Sequence, residues 1–587
     1  MCGIFGYVGE QDALATSVRG LEQLEYRGYD SSGIAGIINQ QLVVWKKAGK
    51  LSNLKGILQK QQLNLAIGHT RWATHGKVND LNAHPHCSGD IAVVHNGIIE
   101  NYESLRQGPC VSETDSEVIA QLIQAHYTGD LLQAVQKTIP LLKGMYAIAV
   151  IHKDHPGQII AAAHECPLAV GVNEQRTEAV IASDPNAFLG SAFELVFLQD
   201  GEIADVRKAH IEIYHPVKGK ITKKTERLDQ KQSAPSKEGY EHFMLKEIYE
   251  QPETVQKAFV GRLHTLPMKI DDAELKKFNR VWFLGCGTSA NAGAIGSMYL
   301  EELAGIPASC DIASEGRYRT ELLTPDTLVC AISQSGETAD LLAAMREVKK
   351  QGCKILAFCN VKNSTIVRES FASVDLKAGP EMSVCSTKAF TSQITVLLLF
   401  AMHLAQLRGK KVSVSVDEIP GHVEQVLAMA PEIQKLAKKY AKYEDFFFLG
   451  RRYMYITALE AALKLKEISY VNANGYPAGE LKHGPIALLD AKFPVVAFCA
   501  NELTQEKIAS NLMEVKARGA PLLAFAPHGM PGVENVADDV VWLPKTSDIL
   551  APFASAVAGQ LFAYYVAKER GCDIDQPRNL AKSVTVE

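Results

Sequence analysis

Two groups of residues in this 587-residue chain carry side chains whose types and spacing suit catalysis. The first opens the chain, in Met1-Cys2-Gly3-Ile4-Phe5-Gly6. Loss of Met1 would leave Cys2 with a thiol and a free α-amine two bonds apart. Thiols titrate near ~8.5 and α-amines near ~7.7–8.0, so one residue can supply both nucleophile and base. Alone, Cys2 reads first as an inert residue opening a buried strand. Downstream, Gly68-His69-Thr70-Arg71-Trp72-Ala73-Thr74-His75-Gly76 has the composition of a ligand-covering loop. Arg71 suits bidentate capture of a carboxylate, and Trp72 a lid that excludes water. In His95-Asn96-Gly97, Asn-Gly is first of all a turn signal; its chemical reading is an amide and a glycine N–H aimed at a developing oxyanion. Thr114 and Asp115 precede a predicted helix, where capping alone explains them.

The second group lies in the other half. Gly285-Cys286-Gly287-Thr288-Ser289 and Ser333-Gln334-Ser335-Gly336-Glu337-Thr338 each follow a predicted strand and precede a predicted helix. Hydroxyls and free backbone N–H groups there make an anion cradle suited to phosphate. Capping explains one hydroxyl per helix but not this crowding. Glu460, Lys464 and Glu467 fall at i, i+4 and i+7, on one face of a helix predicted over 458–470; a surface pair stack is the bland account. With Glu480 and His483 in the next loop, these groups suit aldose–ketose isomerisation, in which one group opens a ring and another moves a proton between C1 and C2. Lys582, in the terminal stretch Asp575 to Glu587, could form a Schiff base with a ketose carbonyl if a dry site lowers its pKa. Ser386 and Lys388 mark a further polar stretch.

The elements that must position these groups divide the chain. Its length exceeds what one core supports, so two to four domains are expected. Residues 2–217 read as a β-rich α+β unit, 218–239 as a linker, and 240–420 and 421–587 as two α/β subdomains with strands alternating with helices. The subdomains repeat: Val281 to Gly285 resembles Phe446 to Gly450, and Leu328 to Phe358 aligns without gaps on Val495 to Phe525. The second copy has Arg451-Arg452-Tyr453 and Ala500-Asn501-Glu502-Leu503 where the first has its cradle, so only the first is expected to bind phosphate. A helix is predicted over 240–259. A net charge of −5 with 22% charged residues gives no reason to expect nucleic acid or a membrane surface. The twelve cysteines show no paired spacing, and the start of the chain has no secretory pattern, so a cytoplasmic protein with reduced thiols is expected. His84-Pro85-His86-Cys87 reads as a polar loop rather than a metal site.

Cys2 to Gly6, Tyr26-Arg27-Gly28-Tyr29-Asp30-Ser31-Ser32-Gly33, the Gly68 to Gly76 stretch and Val94 to Asn101 resemble the N-terminal-nucleophile glutamine amidotransferases. The resemblance implies a four-layer αββα glutaminase in which Cys2 attacks the glutamine side-chain amide and Asn96 and Gly97 form the oxyanion hole. It further implies that Arg71 holds the α-carboxylate and Asp115 the α-amine, with Thr74, His75 and the gating Trp72 completing the pocket. The cradle motifs, with Gly379-Pro380-Glu381 and Ser386 to Thr391, resemble the sugar isomerase (SIS) family of phosphosugar-binding domains, built on doubly wound parallel sheets. Together the resemblances imply transfer of the amide nitrogen of L-glutamine to fructose 6-phosphate with isomerisation. Thr288, Ser289, Ser333, Gln334, Ser335, Thr338 and Ser386 would bind the sugar phosphate, with Lys464 and Glu460 completing the site. Glu467 would shuttle the proton, His483 open the ring and Lys582 hold the open sugar. Ammonia would pass through an internal channel, without metal or nucleotide cofactor, in a homodimer joined through the SIS half. Two other activities compete: a sugar-phosphate deglycase or deaminase, and a non-catalytic phosphosugar sensor. Four places depart from the usual pattern: a short Arg106 to Cys110 connection, Glu165-Cys166-Pro167 where Gly-Ser-Pro is commoner, Cys385 for alanine, and Arg452 for the second glycine of Gly-Arg-Gly.

Overall fold

The computed structural model describes residues 2–59, 61–188, 194–227, 236–263, 266–268 and 270–585. The chain forms two compact units, Met1–Ala234 together with Ala581–Glu587, and Pro235–Leu580. Met1 itself lies outside the described residues, as does most of the second half of the expected linker, 228–235. The linker's first half is partly sheet, with strands at Gly219–Ile221 and Glu226–Arg227.

The first unit stacks an eight-stranded on a seven-stranded sheet, every strand pair between named strands being antiparallel. Strict alternation fixes which side chains meet between the sheets. Along Gly3–Val8, Ile4 and Val8 enter the inter-sheet core while Phe5 and Tyr7 pack beneath the helix Ala13–Leu24. Along Ile91–Ile99, Ala92 and Val94 face inward and Ile91 and Val93 pack with the helix Glu117–His126. Helix, sheet, sheet and helix are the four expected layers. The hairpin Ser31–Ile38 with Gln41–Ala48 turns at Asn39 and Gln40, both at positive φ (49° and 62°), as a two-residue loop requires.

The second unit holds two parallel five-stranded sheets. In the first copy Arg280–Gly285 lies between Ala308–Ile312 and Thr327–Ser333, followed by Lys354–Cys359 and Ala372–Asp375. In the second, Asp445–Gly450 lies between Asn472–Pro477 and Val495–Phe498, followed by Leu522–Pro527 and Asp539–Leu543. Both therefore have strand order 2-1-3-4-5, a doubly wound arrangement whose switch point falls between strands one and three. One continuous apolar core joins the copies, from Phe283 and Phe358 through Phe390 and Phe400 to Phe446 and Phe525. The helix Lys388–Leu407 is long and apolar enough to cross a membrane, but it is a core helix, 78% buried in its most apolar stretch. The helix expected over 240–259 is two, Phe243–Tyr249 and Gln251–Phe259, because Pro252 lacks the N–H that would continue the first.

Candidate functional site

In the first unit, Cys2 shares the inter-sheet face of its strand with Ile4. Its Sγ lies 3.5 Å from the Trp72 carbonyl oxygen and accepts the Trp72 N–H at 3.4 Å. Burial pushes the thiol up, opposed by the Trp72 amide and the Arg71 guanidinium. Asn96 faces it from the other sheet and donates Nδ2–H to the Cys2 carbonyl oxygen at 3.1 Å. The Asn-Gly pair is not a turn: the strand runs through it to Ile99, with Gly97 at φ +131°. A Cβ at Gly97 would sit 2.0 Å from the Met145 carbonyl oxygen, so only glycine fits there.

Arg71, buried at the end of Leu65–Arg71, donates to the carbonyls of His75, Gly76 and Lys77 and so shapes its own loop. Trp72 is half-buried, Thr74 exposed, and His75 packs edge-on against Tyr102. Asp115 does not cap the next helix, which starts at Glu117. Its Oδ2 instead accepts the Ile99 N–H at 2.8 Å, and Thr114 Oγ1 lies 3.1 Å from His86 Nε2. The sequence reading missed Asp30, whose Oδ2 accepts the Ala73 N–H at 2.8 Å and anchors the loop. It also missed a buried histidine cluster. His84 stacks on His69 at 4.0 Å and meets His86 edge-on at 4.5 Å, so His84 to His86 is packed interior and not a polar loop. Among the described residues no group of His, Cys, Asp and Glu is arranged to hold a metal ion.

In the second unit, Glu460 and Lys464 lie on the helix Tyr453–Ser469, each 1% exposed along the side chain, which removes the surface-stack account. Lys464 Nζ is 2.9 Å from Glu467 Oε2, 3.5 Å from Glu460 Oε1, and donates to Thr288 Oγ1 at 2.9 Å. Thr288 in turn donates to Glu460 Oε1 at 2.9 Å, and Asn291 Nδ2–H to Oε2 at 2.7 Å. The second copy's helix thus meets the first copy's switch-point loop. Burial pushes the Glu460 carboxyl up despite Lys464. Burial opposes the Lys464 charge too, but Cys385 and then the Glu460 and Glu467 carboxylates more than offset that and push the ammonium well above the ordinary range.

The hydroxyls crowd as expected and do not cap. Among the described residues no side-chain cap bond is made to the helices Thr288–Tyr299 or Ala339–Lys350. Ser289 Oγ accepts from Gln393 at 2.9 Å, Ser333 Oγ accepts the Gly336 N–H at 2.8 Å and lies 3.4 Å from Thr338 Oγ1, and Ser335 Oγ accepts the Glu337 N–H at 3.2 Å. Gln334 is half-buried beside them. Ser386 donates to Glu381 at 2.9 Å, and Lys388 pairs with Glu250 at 2.6 Å. Three expected participants have other settings. Glu480 and His483 are exposed on the short helical turn Ala478–His483, and Lys582 belongs to the terminal segment grouped with the first unit.

A glutamine amidotransferase domain family matches residues 69–190, and the SIS domain family matches residues 274–403 and 439–570. The glutamine–fructose-6-phosphate aminotransferase [isomerizing] of Clostridium acetobutylicum is 42% identical over 610 residues, and that of Aquifex aeolicus 44% identical over 600, each alignment covering 100% of both chains. The chain belongs to the glutamine–fructose-6-phosphate aminotransferase (isomerizing) family. Among solved structures, the C-terminal domain of glucosamine-fructose-6-phosphate aminotransferase from Francisella tularensis is 39% identical, with a TM-score of 0.55, covering 58% of this chain and 100% of that one.

Three departures from the aminotransferase pattern acquire physical accounts. Arg452 has φ 51° and ψ −124°, and its counterpart in the first copy, Gly287, has φ 52° and ψ −126°. The repeat thus extends to a backbone conformation that favours glycine, and Arg452 occupies it while pairing with Glu302 at 2.8 Å. Glu165 likewise stands at φ +57°, a reason for glycine to be commoner there. Cys385 is fully buried, and burial pushes its thiol well above the usual range, so it stays protonated beside Lys464. The structure gives no reason for the short Arg106 to Cys110 connection.

Proposed function

We propose that the chain transfers the amide nitrogen of L-glutamine to D-fructose 6-phosphate with isomerisation, giving L-glutamate and D-glucosamine 6-phosphate. The observation that carries this reading is the buried Glu460–Lys464 pair bonded to Thr288 at the switch point of the first copy, with Glu467 2.9 Å from Lys464, in one chain with a cysteine held opposite an asparagine amide.

Cys2 Sγ attacks the side-chain carbonyl carbon of glutamine, and the Asn96 amide and the Gly97 N–H receive the developing oxyanion. The free α-amine of processed Cys2 takes the thiol proton and returns it to the departing nitrogen; water then cleaves the thioester to glutamate. Arg71 takes the α-carboxylate and Asp115 the α-amine. Because Arg71 holds the carbonyls of residues 75–77, carboxylate binding requires the Trp72 to His75 loop to move, with Trp72 closing over the site.

Thr288, Ser289, Ser333, Gln334, Ser335, Thr338 and Ser386 hold the sugar phosphate, and His483 assists ring opening. Ammonia condenses at C2 of the open ketose with loss of water. Glu467 then moves a proton from C1 to C2, while the C1 hydroxyl proton passes to nitrogen as the aldehyde forms. Lys464 fixes the Glu467 carboxylate, Glu460 completes the polar floor, and Lys582 holds the open sugar. A cytoplasmic homodimer joined through the SIS half, with domains at 2–217, 240–420 and 421–587, completes the reading.

The test compares wild type with Cys2→Ala on glutamine and fructose 6-phosphate. Amino-sugar phosphate formed by wild type and lost in the variant, while sugar-phosphate isomerisation persists, supports the reading. Product formed equally without Cys2 overturns it.

A further inference from the structure

The oxyanion-hole asparagine needs its amide turned one way, and the structure shows what turns it. His69, on Leu65–Arg71, alternates onto the inter-sheet face with Ile67, and Asn96 reaches the same space from the opposite sheet. His69 Nε2 lies 2.9 Å from the His95 carbonyl oxygen and 3.1 Å from Asn96 Oδ1. A backbone carbonyl only accepts, so Nε2 carries the hydrogen. Nδ1 is buried and has no partner among the described residues, and burial pushes the ring down to about 3, so near neutral pH the imidazole is uncharged and holds this one tautomer.

Further consequences follow in order. Nε2–H facing Asn96 fixes Oδ1 as the atom turned toward His69. Nδ2 must then turn toward Cys2, where it donates to the Cys2 carbonyl oxygen at 3.1 Å. One of its two hydrogens is used there, and the other remains for the substrate oxyanion. With the amide reversed, Oδ1 would face the Cys2 carbonyl oxygen and a developing negative charge. His84, stacked on the far face of the ring at 4.0 Å, keeps the imidazole in plane, and its own Nδ1 accepts the His95 N–H at 3.3 Å.

We infer that His69 is a positioning residue for amide hydrolysis: its Nε2–H, oriented by the His95 carbonyl, sets the Asn96 amide so that Nδ2 points at the oxyanion. This rests on the glutaminase reading of the Cys2 site and adds the residue that orients its donor.

The experiment uses the full chain and measures glutamine hydrolysis in four variants: His69→Phe, His69→Gln, Asn96→Ala and His69→Phe/Asn96→Ala. His69→Phe keeps a ring against His84 but lacks the donor. Removing one oxyanion donor typically lowers kcat about 10²–10³-fold; a donor left free to rotate is expected to lose roughly 10–100-fold, with KM for glutamine within about threefold. His69→Gln restores an N–H and is expected to retain kcat to within about tenfold. In the Asn96→Ala background, His69→Phe should change kcat by less than about threefold, because its effect runs through the missing amide. Full kcat in His69→Phe, an equal loss in His69→Gln, or an undiminished loss on top of Asn96→Ala overturns the inference. The reading beneath it fails separately, through unchanged hydrolysis in Cys2→Ala or in Asn96→Ala alone.

Discussion

The histidine cluster beneath the Cys2 site makes the first unit acid-sensitive in a way that can be calculated. His69, His84 and His86 are 0%, 3% and 3% exposed. Burial is the leading cause holding all three down, His69 to about 3 and the other two well below the ordinary histidine value, so the folded unit keeps them neutral. In the unfolded chain each titrates near ~6.5. A depressed folded pKa contributes stability that is present above the unfolded value and lost as pH falls toward the folded one. Between pH 7 and pH 5 each unfolded histidine gains about 1.9 kcal/mol from protonation that its folded counterpart forgoes, or about 6 kcal/mol for three. Burial lowers His95 as well, which adds to the effect. Against a typical domain stability of ~5–15 kcal/mol, this brings the unit close to acid unfolding near pH 5. The assay is urea unfolding from pH 8 to pH 5 in a Trp282→Phe/Trp542→Phe chain, in which Trp45 and Trp72 report the first unit. Below pH 6 the unfolding free energy should fall by about 4 kcal/mol per pH unit, matching uptake of close to three protons, and His84→Phe should remove one of them. A slope of one proton or less would refute the account of a neutral buried cluster.

Other perturbations probe the second unit and the chain's start. Lys464→Met leaves the buried Glu460 without its cation, so it should destabilise the SIS half by about 3–5 kcal/mol at pH 8, and by less as pH falls, because burial already pushes the Glu460 carboxyl up; Glu460→Gln/Lys464→Met should recover most of the loss, and the single variant should lose isomerisation while still hydrolysing glutamine. Arg452→Gly relieves backbone strain of about 1–3 kcal/mol and removes a half-exposed ion pair worth ~0–1 kcal/mol, so urea denaturation should show equal or higher stability, and a fall beyond about 1 kcal/mol would contradict the strain argument. Inserting alanine between Met1 and Cys2 denies the thiol its own α-amine; glutamine hydrolysis should drop about 10²–10⁴-fold while sugar isomerisation is unchanged, with the N-terminus verified by mass spectrometry.

The β-rich first unit and the two repeated α/β subdomains were legible because alternation and repeat length are properties of the sequence itself, whereas the αββα layering came from the resemblance to the N-terminal-nucleophile amidotransferases. Phe446 to Gly450 repeats Val281 to Gly285 closely enough to place both first strands. The chemistry around Thr288 was legible as crowding, since capping could not explain so many hydroxyls. What the sequence concealed depended on neighbours distant along the chain. Glu460, Lys464 and Glu467 were legible as one polar helix face suited to the sugar chemistry, but the Thr288 and Asn291 contacts that bury Glu460 and Lys464 were not. Asn96-Gly97 looked like a turn because its local propensity is for one; pairing with Tyr146 and Ala147 overrides that and leaves Gly97 at positive φ within a strand. Asp115 looked like a cap because its partner, the Ile99 amide, belongs to another element. The His69–Asn96 pairing was available in part, since Leu65, Ile67 and His69 alternate as Ala92, Val94 and Asn96 do. Only the facing of the two sheets shows that these rows meet.

The central claim is that nitrogen released at Cys2 is the nitrogen placed on the sugar, and isotope transfer tests it most directly. Wild-type chain is given fructose 6-phosphate, glutamine labelled with 15N at the side-chain amide, and an excess of unlabelled ammonium, and the product is analysed by mass spectrometry. The account predicts glucosamine 6-phosphate carrying mostly 15N. Product whose nitrogen matches the bulk ammonium, or labelled ammonium released with no amino-sugar formed, would contradict it.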